Sequence, residues 1–386
     1  MLKSALKTGT QIAGITLGLT ITFQAFGIPM LPKQLVNKAE KSKPSELLVI
    51  RNWGLDNSES SSHINIRNAW KITRGSKKIR VAVVDTGVDP NHPDLKDNLC
   101  GKENGEYGFD FVTNKKNPDD SHGHGTHVAG IIGASAKKEG GAVGVAPNIC
   151  IMAVRYYSDS ASGAQNLTNT VKAINYAIDH GAHIINYSGG GAEFSSAELK
   201  AIQRAEAKGI LFVAAAGNEY QDTDKPGNSY YPAAYGLTNV ISVAATNIKN
   251  QLVPASNWGK KHVHVSAPGE NIFSTHAKGR YSYLTGTSQA TAFVSGLAAL
   301  MLSEDETLKP HEIREIMMKS VDKLSSLTNK VASGGKINAY EALKLTVARK
   351  VGNANSILAK MDAEDLKSEK AASDLKQAVK RNVAFH

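Results

Sequence analysis

The chain has 386 residues, 41% hydrophobic and 21% charged, a globular composition that excludes disorder throughout. Its formal charge of +10 is spread out, with eight Lys/Arg against five Asp/Glu over residues 347–386, so no nucleic-acid partner is expected. Two cysteines, Cys100 and Cys150, exclude a disulfide scaffold and a four-cysteine metal site but permit one bridge in an exported chain.

The opening residues place Lys3 and Lys7 ahead of a largely apolar run from Ile12 to Phe26, with small residues at Ala25 and Gly27. That layout predicts a signal peptide over 1–27 and export to a periplasmic or extracellular space. Gln11, Gln24 and several threonines make the run weakly apolar for a membrane span, so no stable membrane association is expected once the leader is cleaved. Residues 28–62, with "NKAEKSKPSE" and "DNSESSS", read as a linker and an irregular approach to the folded domain.

From residue 79 the pattern changes. The runs "IRVAVVD" (79–85), "ICIMAV" (149–154), "HIINYS" (183–188), "ILFVAAA" (210–216) and "VISVAA" (240–245) have the composition of buried parallel strands. Helical patterns lie between several of them, at 125–134, 168–181 and 195–209, the last two closing on glycine. Strand and helix in alternation predict an α/β, doubly wound, mainly parallel β-sheet with helices on both faces. A further apolar helix follows the turn "TGTSQA", and residues 347–386 read as a charged helical tail.

In an open parallel sheet, ligands bind beyond the carboxyl ends of the strands. Asp85, Ser188 and Asn218 stand at such ends. A buried Asp85 is costly without a partner, and the "DTG" that it opens fits a structural aspartate, a catalytic one, or half of an aspartic-protease site. That last option needs a second copy, and the chain has a single "DTG". "DDSHGHGTHVAG" sets His122, His124 and His127 at a helix start, as a metal cluster or as one working imidazole flanked by Gly123 and Gly125. The H-E-x-x-H pattern of zinc hydrolases is absent from this segment. Ser288 begins a helix and can either cap it or attack a substrate. "NYSGGG" (186–191) offers backbone to an extended peptide.

Asp85, His124 and Ser288 occur in the order Asp, His, Ser, 39 and 164 residues apart, an order used by one of the convergent serine-protease triads. With "DTGVDPNHPDL", "HGTHVAG", "AAAGNE", "SNWGKKHVHVSAPG" and "GTSQATAFVSG" in sequence, residues 50–346 resemble the subtilisin-like serine proteases, the subtilases. The resemblance implies a single peptidase domain over 63–346, a monomer that cleaves extended polypeptides through an acyl-enzyme without a catalytic cofactor. It casts Ser288 as nucleophile, His124 as general base, Asp85 as the residue orienting it, and Asn218 with the Ser288 N–H as the oxyanion hole. Substrate would lie along Ser188, Gly189 and Gly190, with a side-chain pocket near Glu219 and Tyr230. Many family members have a small residue where Tyr230 stands, so a shortened pocket is expected.

The chain also departs from the family pattern. Gln289-Ala290-Thr291-Ala292 replaces the usual Met-Ala-Ser-Pro, which predicts resistance to peroxide. Asp94 matches a structural calcium position, but the loop that would complete the site, "SAKKEGGAVG" (135–144), carries two lysines and one acid in place of oxygen ligands. Cys100 and Cys150 fall in neighbouring regions of such a fold, where a disulfide would be accommodated.

Overall fold

The computed structural model describes residues 51–56, 61–101, 104–137 and 140–364, with 354–364 by backbone alone. The expected signal peptide, most of the linker and the end of the tail lie outside the described residues. The elements run α1 (Ile66–Ala69), β1 (Arg80–Asp85), β2 (Gly108–Asp110), β3 (Lys115–Lys116), α2 (His124–Gly133), β4 (Cys150–Arg155), α3 (Gly163–Asp179), β5 (Ile184–Tyr187) and α4 (Ser196–Ala207). They continue through β6 (Leu211–Ala215), β7 (Val240–Thr246), β8 (Val265–Pro268), β9 (Ile272–His276), β10 (Arg280–Leu284), α5 (Thr287–Glu304), α6 (Pro310–Lys319), β11 (Asp322–Lys323), β12 (Gly335–Lys336) and α7 (Ala339–Glu364).

Among the described residues ten strands form one sheet in the order β11-β12-β8-β7-β6-β5-β1-β4-β2-β3, with β9 and β10 as a separate hairpin. The pairs from β12 through β2 are parallel, and only the outermost partners, β11 and β3, run antiparallel. The continuous apolar runs are explained by burial on both faces. In β1, Val81 and Val83 enter the core on the side of α2 and α5, while Ala82 and Val84 enter the core on the side of α3 and α4.

Crossovers from β1 lead to β4 on one side, and the chain then passes to β5 on the other, so β1 sits where the winding reverses. Ligand crevices open at the carboxyl ends of strands at such a point. Local chemistry sets the helix limits. The Ser162 and Ser195 hydroxyls accept from the N–H groups of Gln165 and Glu198 as N-caps, and Gly181 and Gly209, at φ 70° and 69°, follow the helix ends. The Ser162 cap starts α3 five residues ahead of the pattern read from 168.

Part of the stretch expected to be linker belongs to the domain. Leu55 is fully buried, the Trp53 indole N–H donates to the Glu270 carbonyl, and the buried Lys336 ammonium donates to the carbonyls of Ser61, Ser62 and His63. The apolar Trp53 and Leu55 anchor an otherwise polar segment. At the other end α7 runs unbroken past residue 346: Leu343 and Val347 are buried, and Arg349 pairs with Asp305 and Glu312. No helix among the described residues is long and apolar enough to cross a membrane.

Candidate active site

The crevice gathers four side chains from four separate parts of the chain. Asp85 ends β1 and is almost fully buried, and His124 is the first residue of α2. The His124 Nδ1–H donates to Asp85 Oδ1 at 2.7 Å. With Nδ1 carrying the proton, Nε2 is left as the basic atom. Burial opposes protonation of His124, but the Asp85 charge and hydrogen bond, with Asp120 behind them, outweigh it and hold the imidazole pKa above its usual value.

Ser288 is the second residue of α5 and makes no cap with its side chain, so the capping alternative is overturned. Its hydroxyl donates instead to the Ser188 carbonyl at 3.0 Å, and the Ser188 hydroxyl donates back to the Ser288 carbonyl at 3.3 Å. Among the described residues no hydrogen bond joins Ser288 to His124. Asn186, buried in β5, holds this exchange in place by donating to Ser188 Oγ at 3.0 Å while accepting from the Ser295 hydroxyl at 2.8 Å.

Asn218 follows β6 and is exposed. Its Oδ1 accepts from the Thr287 N–H at 2.9 Å and the Thr287 hydroxyl at 3.2 Å, so the acceptor end of the amide is occupied and Nδ2 is the donor that it has left to offer. Fixed donors beside a nucleophile are what a developing oxyanion requires.

Gly191 pairs with Tyr231 in both directions, at 2.9 and 2.7 Å, while Gly189 and Gly190 have no backbone hydrogen-bond partner among the described residues. Tyr230 lies between this edge and the segment after β6. A methyl group added to Gly190 would meet Tyr230 Cε1 at 2.5 Å, and one added to Gly217 would meet Cε2 at 2.8 Å, so the ring is wedged between two glycines. Glu219 borders the same space; Asn257 Nδ2 donates to its Oε2 at 2.6 Å, and burial raises its pKa against the pull of that bond.

The three histidines do not form a cluster. His127 is buried with its Nε2–H shared between the carbonyls of Ile272 and Ser282, at 3.0 and 3.2 Å, which ties α2 to the β9–β10 hairpin. No group of three or more His, Cys, Asp or Glu among the described residues is arranged to hold a metal ion.

Asp94 faces donors. Its Oδ1 accepts from the Lys137 N–H at 2.8 Å, and its Oδ2 from the Ala142 N–H at 2.8 Å and the Tyr281 hydroxyl at 2.7 Å. A calcium ion takes about six oxygen ligands, and this set of N–H and O–H groups does not fit one. Cys100 and Cys150 are joined in a disulfide with a Cα separation of 5.1 Å.

The motifs did not reveal Thr287, which orients Asn218, or Asn257, which orients Glu219. Both lie inside the quoted "GTSQATAFVSG" and "SNWGKKHVHVSAPG", but their partners are 69 and 38 residues away.

Several known proteins are similar to this chain. The subtilase family model matches residues 76–342. Thermitase from Thermoactinomyces vulgaris is 39% identical over 73% of this chain and 94% of its own length. A thermophilic serine proteinase from Bacillus sp. strain AK1 is 41% identical over 71% of this chain, which spans 64% of that protein. Among solved structures, a cold-adapted subtilisin-like serine proteinase is 32% identical with a TM-score of 0.56, covering 67% of this chain and 86% of that one. The prenylagaramide maturation protease PagA is 30% identical with a TM-score of 0.59, over 73% and 98%. The chain belongs to the subtilase family, whose members are serine-type endopeptidases.

Proposed function

We propose that this chain is an exported, monomeric serine endopeptidase that cleaves extended polypeptides through an acyl-enzyme, with Asp85, His124 and Ser288 as its triad. The observation that carries the reading is the 2.7 Å contact between His124 and Asp85 at the same sheet end as Ser288 and Asn218. In this reading the Ser288 hydroxyl leaves the Ser188 carbonyl by rotation about its Cα–Cβ bond and gives its proton to His124 Nε2 as it attacks the scissile carbonyl. The tetrahedral oxygen is held by Asn218 Nδ2 and the Ser288 N–H, at a helix start whose dipole favours negative charge. His124 then protonates the leaving amine, and water repeats the sequence on the ester.

The free backbone of Gly189 and Gly190 supports strand-like binding of substrate. The Tyr230 ring supports a short pocket that takes small side chains at the cleaved position. Export is supported by the leader pattern and by the similarity, at 35% identity, to the minor extracellular protease Epr of Bacillus subtilis. Asp94 acts in this reading as a clamp on the 137–142 loop, with no calcium ligated there. The test is labelling with a fluorophosphonate probe beside a casein assay: wild type takes the label and cleaves, Ser288→Ala does neither, and a chelator changes nothing. Cleavage that survives Ser288→Ala would overturn the reading.

A further inference from the structure

Asp120 is buried four residues before His124 and has no step of its own in the proposed reaction. Its carboxylate nevertheless accepts five hydrogen bonds. Oδ1 takes the Thr86 hydroxyl at 3.0 Å and the N–H groups of His122 at 3.0 Å and Gly123 at 2.8 Å. Oδ2 takes the Thr126 N–H at 2.9 Å and the Thr126 hydroxyl at 2.6 Å. Every partner is a donor, so the group is used as an acceptor-only carboxylate. Gly123, at the N-cap of α2 with φ 101°, has no side chain with which to cap the helix. Asp120 supplies that cap from outside.

The donors come from both sides of the His124–Asp85 pair. Thr86 follows Asp85, and its N–H donates at 2.8 Å to Asp85 Oδ1, the oxygen that also receives His124 Nδ1–H. The Thr86 hydroxyl donates to Asp120 and accepts from the Gly125 N–H at 2.9 Å. Gly125 follows His124 directly, and His122, Gly123 and Thr126 lie within two residues of it. Strand end and helix start therefore converge on one carboxylate.

We propose that Asp120 is a positioning residue: through Thr86 and the first turn of α2, its carboxylate fixes Asp85 and His124 at their working separation. It also adds negative charge beside the imidazolium that forms during attack. The titratable groups around His124 are Asp85, Asp120, His122 and His127, with His276 packed on Gly123 from the hairpin. Of these, only the two carboxylates favour a protonated ring. Without Asp120, Asp85 alone opposes the burial that disfavours the charge.

The inference rests on the triad reading above, and the experiment separates the two. Wild type, Asp120→Asn, Thr86→Val and Thr86→Ser are compared for fluorophosphonate labelling and for kcat and KM on a peptide substrate across the acid limb of the pH profile. We expect Asp120→Asn to lower kcat/KM roughly 10- to 100-fold, the scale of a misplaced catalytic group, and to move the acid limb to lower pH. Thr86→Val lowers kcat with KM unchanged, and Thr86→Ser restores it. An Asp120→Asn acid limb that does not move, or a Thr86→Val loss that Thr86→Ser fails to restore, overturns the inference. If Asp120→Asn does not fold, the Thr86 pair decides alone. An unlabelled wild type would instead defeat the triad reading itself.

Discussion

Asn218 and Thr287 are locked together by two hydrogen bonds to one oxygen, from the Thr287 N–H at 2.9 Å and its hydroxyl at 3.2 Å. The residue just before Ser288 thus fixes the acceptor end of the amide. Asn218→Ala is expected to lower kcat roughly 100- to 1,000-fold with KM little changed, a magnitude established for subtilisin itself. Thr287→Val keeps the backbone bond and removes the hydroxyl, so its loss is several-fold. Steady-state kinetics on a chromogenic peptide checks both; equal losses would mean that the hydroxyl carries the whole orientation.

The Tyr230 ring is wedged between Gly190 and Gly217, and in the proposed function it shortens the pocket for the substrate side chain. Tyr230→Gly is expected to shift a peptide library from Ala and Ser at the cleaved position toward Phe and Leu, raising kcat/KM for the large residues about 10- to 100-fold. One methylene in an apolar pocket is already worth roughly 1–3 kcal/mol. A wild-type preference for Phe or Tyr would contradict the short pocket.

Some of this was legible in the linear pattern and some was not, for physical reasons. β1 and β6 announce themselves because strands buried on both faces must be continuously apolar. The β9–β10 hairpin escaped because β10, "RYSYL", is half-exposed and polar on alternate residues. Asp85, His124, Asn218 and Ser288 stand out because their chemistry sits in short motifs. The Ser288–Ser188 exchange spans 100 residues, and only the folded chain brings Asn186 and Ser295 together beneath it.

Gln289 is buried at the start of α5, at the position where the resemblance to the subtilases implies a methionine. A thioether there oxidises to a polar sulfoxide beside the nucleophile, whereas an amide has no such reaction. Activity is expected to survive hydrogen peroxide that inactivates a Gln289→Met variant, with casein assays before and after treatment as the measurement. Equal inactivation of the two would place the sensitive group elsewhere.

Asp94 accepts hydrogen bonds from Lys137, Ala142 and Tyr281, which tie it to its loop and to β10, and the proposed function needs no calcium there. A chelator should leave the melting temperature unchanged. Asp94→Ala should cost about 2–3 kcal/mol, because two loop N–H groups and a phenol lose their acceptor. Thermal unfolding in a Ser288→Ala background avoids self-cleavage. A chelator-induced drop in that background would restore the calcium reading.

His127, His264 and Glu198 each make stability depend on pH. Burial, reinforced by His124 for the one and by Arg314 for the other, lowers the pKa of His127 and His264 to about 3. Below the usual 6.5 the unfolded chain gains protons that the folded chain refuses, so these two withdraw stability as pH falls from 6.5 toward 3. Glu198 has the opposite sign. Burial raises it to about 7 against the Tyr235 hydrogen bond, so between 4.5 and 7 the unfolded chain releases a proton that the folded chain keeps. Stability is then lost as pH rises through that window. Glu198→Gln keeps an acceptor for Tyr235 and removes the buried charge. Its advantage over wild type should grow between pH 4.5 and 7 and then level off at roughly 3 kcal/mol, from 1.36 kcal/mol per pKa unit. Denaturant midpoints for the pair, both carrying Ser288→Ala, measure that difference directly. An advantage that stays constant across the window would mean that Glu198 does not titrate there.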